Sequence, residues 1–188
     1  NAYVNTTLTK MAYGGIFDQV GGGFARYSVD KKWHIPHFEK MLYDNGQLVS
    51  LYSDAYLINK NELYKETVYN TLGFIERELM HEDGGFYASL DADSVNEKKE
   101  LEEGAFYVWK KLELEKIIGS EFDLFSKYYN INEYGFWEHE SYNLIRSTSD
   151  QTFANTHGID LTDFKKTVNE WKIKLLAERE KRQPPRLD

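Results

Sequence analysis

Apolar residues in this chain recur at three- and four-residue steps, in blocks cut short by glycine and aromatic clusters. Leu48, Leu51, Tyr52, Ala55 and Ile58 form one stripe; Val68, Leu72, Ile75 and Leu79 form a second. A period of about 3.6 residues gathers such side chains on one face of a helix. The spacing therefore predicts helices over about 37–58, with Pro36 in the first turn, and over about 62–80, ended by Asp83-Gly84-Gly85. An opening helix over 2–13 is stopped by Gly14-Gly15. A last helix over about 161–182 has Asp160 or Thr162 as N-cap, and its basic end (Arg179, Lys181, Arg182) suits the negative helix pole. Shorter helices are expected at about 112–118 and 121–129.

Between the helices the reading changes. Residues 16–36 read as loop and short extended pieces, with Phe24 to Ser28 as a candidate strand. Phe86 to Leu90 and Ala105 to Trp109 are short and aromatic-rich and are expected to pair as an antiparallel hairpin. Their connection, residues 91–103, holds six acids and two lysines and reads as a solvated loop. Residues 142–145 make a further short strand. The expected fold is mainly α with short antiparallel β-hairpins.

Composition removes several function classes. The 188 residues include no cysteine, which excludes disulfide staples, thiolate metal sites and thiol chemistry within this chain. The net charge is −8, from 23 Lys and Arg against 31 Asp and Glu. That balance argues against nucleic acid and against an anionic membrane surface as partner. Mean hydropathy is −0.64, and no apolar run approaches the ~20 residues of a membrane span. No signal-like segment is seen, so the cytoplasm is the default expectation, and the Asn5-Thr6-Thr7 glycosylation sequon is read as unused.

Motif by motif, cofactor sites fail. Gly21-Gly22-Gly23 lacks the spacing and the Lys-Ser/Thr of nucleotide loops. His34 and His37 would need a distant third ligand to hold zinc. Asp91-Ala92-Asp93-Ser94 with Glu102 at the twelfth position resembles a calcium loop, but Val95 and Asn96 stand where oxygen and glycine are required. No Gly-x-Ser-x-Gly elbow occurs. No cofactor and no metal is expected. What remains is carboxylates beside aromatics. On a helix starting at His37, His37 and Asp44 would share one face, and Glu39 and Tyr43 another. Acid pairs walled by flat rings are the tools of sugar chemistry. Equally, such acids cap helices and such histidines pack in cores.

Several long phrases are similar to those of a known family. They are Gly14-Gly15-Ile16-Phe17-Asp18-Gln19-Val20-Gly21-Gly22-Gly23-Phe24-Ala25-Arg26-Tyr27-Ser28-Val29-Asp30, then Trp33, then Pro36-His37-Phe38-Glu39-Lys40-Met41-Leu42-Tyr43-Asp44-Asn45. The match returns at Gly84-Gly85-Phe86-Tyr87, Leu90-Asp91-Ala92-Asp93-Ser94, Glu103-Gly104-Ala105-Phe106-Tyr107-Val108-Trp109, Asn143-Leu144 and Pro185-Arg186-Leu187-Asp188. They resemble the thioredoxin-domain-containing family that includes a spermatogenesis-associated thioredoxin-like protein and many bacterial relatives. The resemblance implies an N-terminal thioredoxin-like domain followed by an (α/α) toroid of the six-hairpin glycosidase-like type. Residues 1–188 would then be a fragment of that toroid, with the thioredoxin-like domain and the later hairpins outside this chain. Val95 to Leu101 is longer than the pattern and fits a variable loop tip.

Two functions are expected. One is a carbohydrate-active domain, hydrolase- or epimerase-like, working on a sugar ligand. Its candidate catalytic residues are His37, Glu39, Asp44, Asp91 and Asp93, and its candidate substrate-binding residues are Arg26, Tyr27, Trp33, Tyr43, Phe86 and Trp109. Histidine as a residue type exchanges protons near neutral pH, which makes His37 the proton carrier for epimerisation. The alternative is a non-catalytic module that binds a ligand or a client of a thioredoxin-like domain. An incomplete toroid leaves apolar flanks bare, so self-association through them is also expected.

Overall fold

A computed structural model describes residues 2–188. Two groups of helices make up the molecule. The first contains α1 (Ala2–Tyr13), α2 (Leu42–Asn59) and α3 (Glu62–Phe74). Lys60, in the left-handed conformation, ends α2, and Asn61 caps α3 by accepting from the Leu63 N–H, so a two-residue joint turns the chain back on itself. A π-turn over Ile75–Leu79 extends α3. The second group contains α4 (Lys111–Ile118), α5 (Phe122–Tyr128), α6 (Asp150–His157) and α7 (Leu161–Arg179). Asp160 caps α7 through the Thr162 and Asp163 N–H groups, as its position predicts. Among the described residues no helix is long and apolar enough to cross a membrane.

Each group has its own core. Phe17, Phe24, Tyr52 and Tyr64 pack inside the first with Leu8. Trp109, Leu114, Phe125, Tyr129, Phe164 and Trp171 fill the second. Side chains of this size contribute roughly 1.5–3 kcal/mol each when fully buried, which is how a cysteine-free chain holds together.

The strands correct the sequence reading. Three antiparallel pairs occur: β1 (Lys40–Met41) with β2 (Ser89–Leu90), β3 (Asp93–Val95) with β4 (Leu101–Glu103), and β5 (Trp109–Lys110) with β6 (Ser141–Tyr142). The Phe86–Leu90 segment therefore pairs with residues 40–41, not with 105–109, and the acidic 91–103 connection is itself a hairpin. Helix α2 begins at Leu42, not His37. Residues 36–41 are kept out of the helix: Pro36 bridges Ser28, the chain turns at Phe38 (φ 63°) with the Glu39 N–H donating to the His37 carbonyl, and Lys40–Met41 form β1. Phe38 packs on Tyr107 and Trp137, and Lys40 is drawn inward by Asp18. Contacts distant in sequence override the local pattern here, so the i+7 and i+4 face-sharing argument fails. Helix α6 was not expected; Ser149 caps it and Gly158 ends it. Helix α7 stops at Arg179, three residues early, and Arg182 folds back to donate to the carbonyls of Ala105, Phe106 and Val108.

Candidate functional site

A buried ion cluster fixes the frame of the site. The Asp18 carboxylate accepts from Lys40 Nζ at 2.9 Å and from both terminal nitrogens of Arg179 at 2.6 and 3.1 Å. All three side chains are at most 7% exposed. Lys40 also donates to the Gly22 carbonyl, and the Val20 and Gly21 N–H groups donate to Asp18. The glycine run is needed here. Gly22 has φ 77°, and a Cβ on it would lie 2.2 Å from the Asn70 carbonyl oxygen. Burial opposes ionisation of Asp18, but the charges of Arg179 and Lys40 outweigh it and hold the carboxyl far below the usual range. Burial pushes Lys40 down. The cavity beside this cluster is about 20 Å³, roughly the space of one water, so no substrate is handled there. Sequence reasoning missed the cluster, although Asp18 and Lys40 both stand in the quoted phrases.

The exposed face lies one step outward along the same strand. The Arg26 N–H donates to the Glu39 carbonyl, and the His37 N–H to the Tyr27 carbonyl. These bonds set residues 26–27 against 37–39. The Tyr27 and His37 rings then stack, with centroids 4.8 Å apart and planes 14° apart. Arg26 pairs with Glu39 at 3.2 Å. His37 Nδ1 donates to Glu103 Oε1 at 3.0 Å, which leaves Nε2 without a hydrogen-bond partner among the described residues. Glu103 sits opposite Asp93 in the β3–β4 register. Asp44 lies in the first turn of α2. Its Oδ2 is secluded with no hydrogen-bond partner. Desolvation pushes the Asp44 carboxyl up; Glu39 adds to this, and Arg26 opposes it.

The structure thus brings together Arg26, Tyr27, His37, Glu39, Asp44 and Asp93 of the expected site, with Tyr43 next to Asp44 on α2. It adds Glu103, which sequence reasoning passed over. Asp91 follows Leu90, one residue beyond the Lys40–Leu90 pair and on the Glu39 side of it; its Oδ1 accepts from the Asp93 N–H at 3.3 Å. Three aromatics stand apart. Trp33 packs against the α1–α3 core. Phe86 is exposed where residues 80 and 86 bridge. Trp109 is 1% exposed inside the second core, beneath the Arg182 guanidinium at 4.0 Å, so it cannot wall a surface site. His34 turns inward with Nε2 secluded, and burial lowers its pKa, whereas His37 faces Glu103. Among the described residues no three His, Asp or Glu side chains are arranged to hold a metal ion.

The relatives of the chain agree with the resemblance carried by its motifs. No family model matches. Among curated proteins, the chain is similar to several named for spermatogenesis. Spermatogenesis-associated protein 20 of Homo sapiens is 38% identical over 203 residues, covering 97% of this chain and 26% of the relative. The Mus musculus protein of the same name is 45% identical over 140 residues, covering 69% of this chain and 18% of the relative. An uncharacterised protein of Caenorhabditis elegans is 37% identical over 202 residues, covering 97% of this chain and 28% of the relative. The chain spans about a quarter of the length of the two relatives that match nearly all of it.

Proposed function

We propose that the Arg26–Tyr27–His37–Glu39–Asp44 face is the ligand site of a carbohydrate-active domain, hydrolase- or epimerase-like, built on a partial six-hairpin (α/α) toroid. The observation that carries this reading is a connected run of polar and aromatic side chains: Arg26 pairs with Glu39, both charges reach Asp44, and Tyr27 stacks on a His37 held by Glu103. Asp44 is a carboxyl pushed toward its protonated form by its half-secluded position. His37 presents a free Nε2 because Glu103 holds Nδ1. A carboxyl displaced upward and an imidazole with one nitrogen unpartnered are groups that general acid–base chemistry on a sugar can use. Tyr27, stacked on His37 and 47% exposed, offers a ring to an apolar sugar face. Arg26 and Glu39 offer a donor and an acceptor to hydroxyl groups.

The experiment is an NMR titration of the chain with hexoses, hexosamines and their N-acetyl derivatives, following the amides of residues 26–44. Saturable shifts that weaken about tenfold in Asp44→Asn or Tyr27→Ala support the reading. Absence of shifts across the panel overturns it. A second reading, a module that binds a client protein of a thioredoxin-like domain, is favoured by the openness of the face: Tyr27 and Tyr43 are both about half exposed. Shifts of the same amides with a thioredoxin-bound client peptide, and none with sugars, would select it.

A further inference from the structure

A larger cleft lies elsewhere, between α3 and α7. Its volume is about 360 Å³, within the roughly 300–1,000 Å³ range of small-molecule sites. Helix periodicity builds it. Lys165, Val168, Asn169 and Lys172 follow the 3–4–7 spacing of one α7 face, and Glu62, Glu66, Thr67 and Asn70 line it from α3. Phe17 and Gln19 close the floor with Tyr128.

Charge in the cleft is almost balanced. Four cations line it against three carboxylates. Three of the cations are paired: Lys165 with Glu66 at 2.7 Å, Lys65 with Glu62 at 3.6 Å, and Arg146 with Asp150. Among the described residues, Lys172 has neither an ion pair nor a side-chain hydrogen bond, although it is half-buried. The side-chain amides of Asn70 and Asn169 are likewise without partners. An ammonium taken partly out of water with no direct ion-pair partner, its nearest carboxylates Asp150 and Glu66 being committed to Arg146 and Lys165, costs free energy that an anion in the cleft would recover. Burial, with the like charge of Arg146, pushes Lys172 down against the opposite charges of Asp150 and Glu66.

We propose that this cleft is a binding site for a small hydroxylated monocarboxylate, its carboxylate on Lys172 and its hydroxyl groups on the Asn70 and Asn169 amides. The single surplus positive charge matches one negative charge and not the two of a phosphate monoester. The uncommitted amides can donate to and accept from hydroxyl groups. The apolar part of the lining, Ala12, Phe17, Leu63 and Val168, takes the carbon chain. This site is separate from the His37–Asp44 face and does not rest on the reading given for it.

The test is a titration of the whole chain with sodium D-gluconate, followed through the amide resonances of residues 62–70 and 165–172. Inorganic phosphate and neutral glucose serve as comparison probes. Gluconate is expected to give saturable shifts there, weakened at least tenfold in Lys172→Met and in Asn169→Asp. Asn169 is exposed, so its replacement leaves the fold intact even where Lys172→Met does not. Shifts of equal strength from glucose, tighter binding of phosphate than of gluconate, or unchanged gluconate affinity in Asn169→Asp would each overturn the proposal, as would no saturable shift at all.

Discussion

Two aspartates in this chain are displaced in opposite directions, and the contrast makes them testable side by side. Asp18 is gripped by Arg179 and Lys40, and its carboxyl is held far down. A group whose folded pKa lies below its unfolded value stabilises the fold above the unfolded value, about 3.9 for aspartate. That stability is lost as pH falls through the unfolded value toward the folded one. Asp18→Asn should therefore cost about 3–5 kcal/mol at neutral pH, since it leaves two buried cations facing no charge. Urea melts at pH 7 and at pH 3 are expected to show the gap between variant and wild type narrowing in acid. Asp44 is displaced upward, chiefly by desolvation, so its ionised form is slightly unwelcome in the fold. Asp44→Asn should leave neutral-pH stability unchanged or slightly raised, and the NMR titration midpoint of Asp44 should lie above that of an ordinary aspartate. A midpoint at or below the ordinary value would remove the acid from the proposed site.

At the scale of elements, the joint between the glycine loop and α2 is held by one amide. Asn45 is fully buried; it accepts from the Phe24 N–H at 2.7 Å and donates to the Phe24 and Met41 carbonyls. Asn45→Ala leaves these buried backbone groups unpaired and is expected to cost about 2–3 kcal/mol, read as a lowered urea midpoint with an unchanged slope. The same joint shows what the letters could and could not reveal. Helices α2, α3 and α7 are legible because apolar recurrence at helical spacing and an aspartate cap are local signals, but the stripes do not name the buried faces: Leu51, Ile58 and Leu72 are exposed, and α3 buries Leu63, Thr67, Thr71 and Phe74 instead. The start of α2 is not legible, because Phe38 and Lys40 answer to Tyr107, Trp137 and Asp18, which no window of sequence around them contains. Strand pairs of two or three residues carry too little alternation to fix a partner, so the letters alone join Phe86–Leu90 to the wrong segment. Helix α6 was missed because eight mostly polar residues make no apolar stripe. Of the candidate site, the Tyr27, His37 and Asp44 positions lie in the quoted phrases, but Glu103 reads as one more acid in a solvated loop.

For the whole molecule, the two helical groups are tied by the Asp18–Arg179 contact and by Lys165 with Glu66. Wild-type protein should unfold in one transition. Arg179→Met is expected to separate two, one followed by hydrogen exchange in α4–α7 and the other by hydrogen exchange in α1–α3. Coincident transitions in the variant would show that the Asp18–Arg179 contact is not what couples the two cores. Leu57 and Ile58 on α2, with Tyr3 and Val4 on α1, are exposed apolar side chains of the kind a second copy would cover. Solution scattering is expected to show self-association as concentration rises; a strictly monomeric profile throughout would contradict it.

The Asp18–Arg179 contact spans 161 residues of sequence, and that span sets an order of events during synthesis. At about 5–20 residues per second, the ribosome makes Asp18 roughly 8–32 s before its guanidinium partner exists. Lys40 can neutralise the carboxylate in the interval, but the second clasp must wait for the end of α7. The glycine loop should accordingly remain open to protease on nascent chains stalled short of residue 179 and become resistant once that arginine has cleared the exit tunnel.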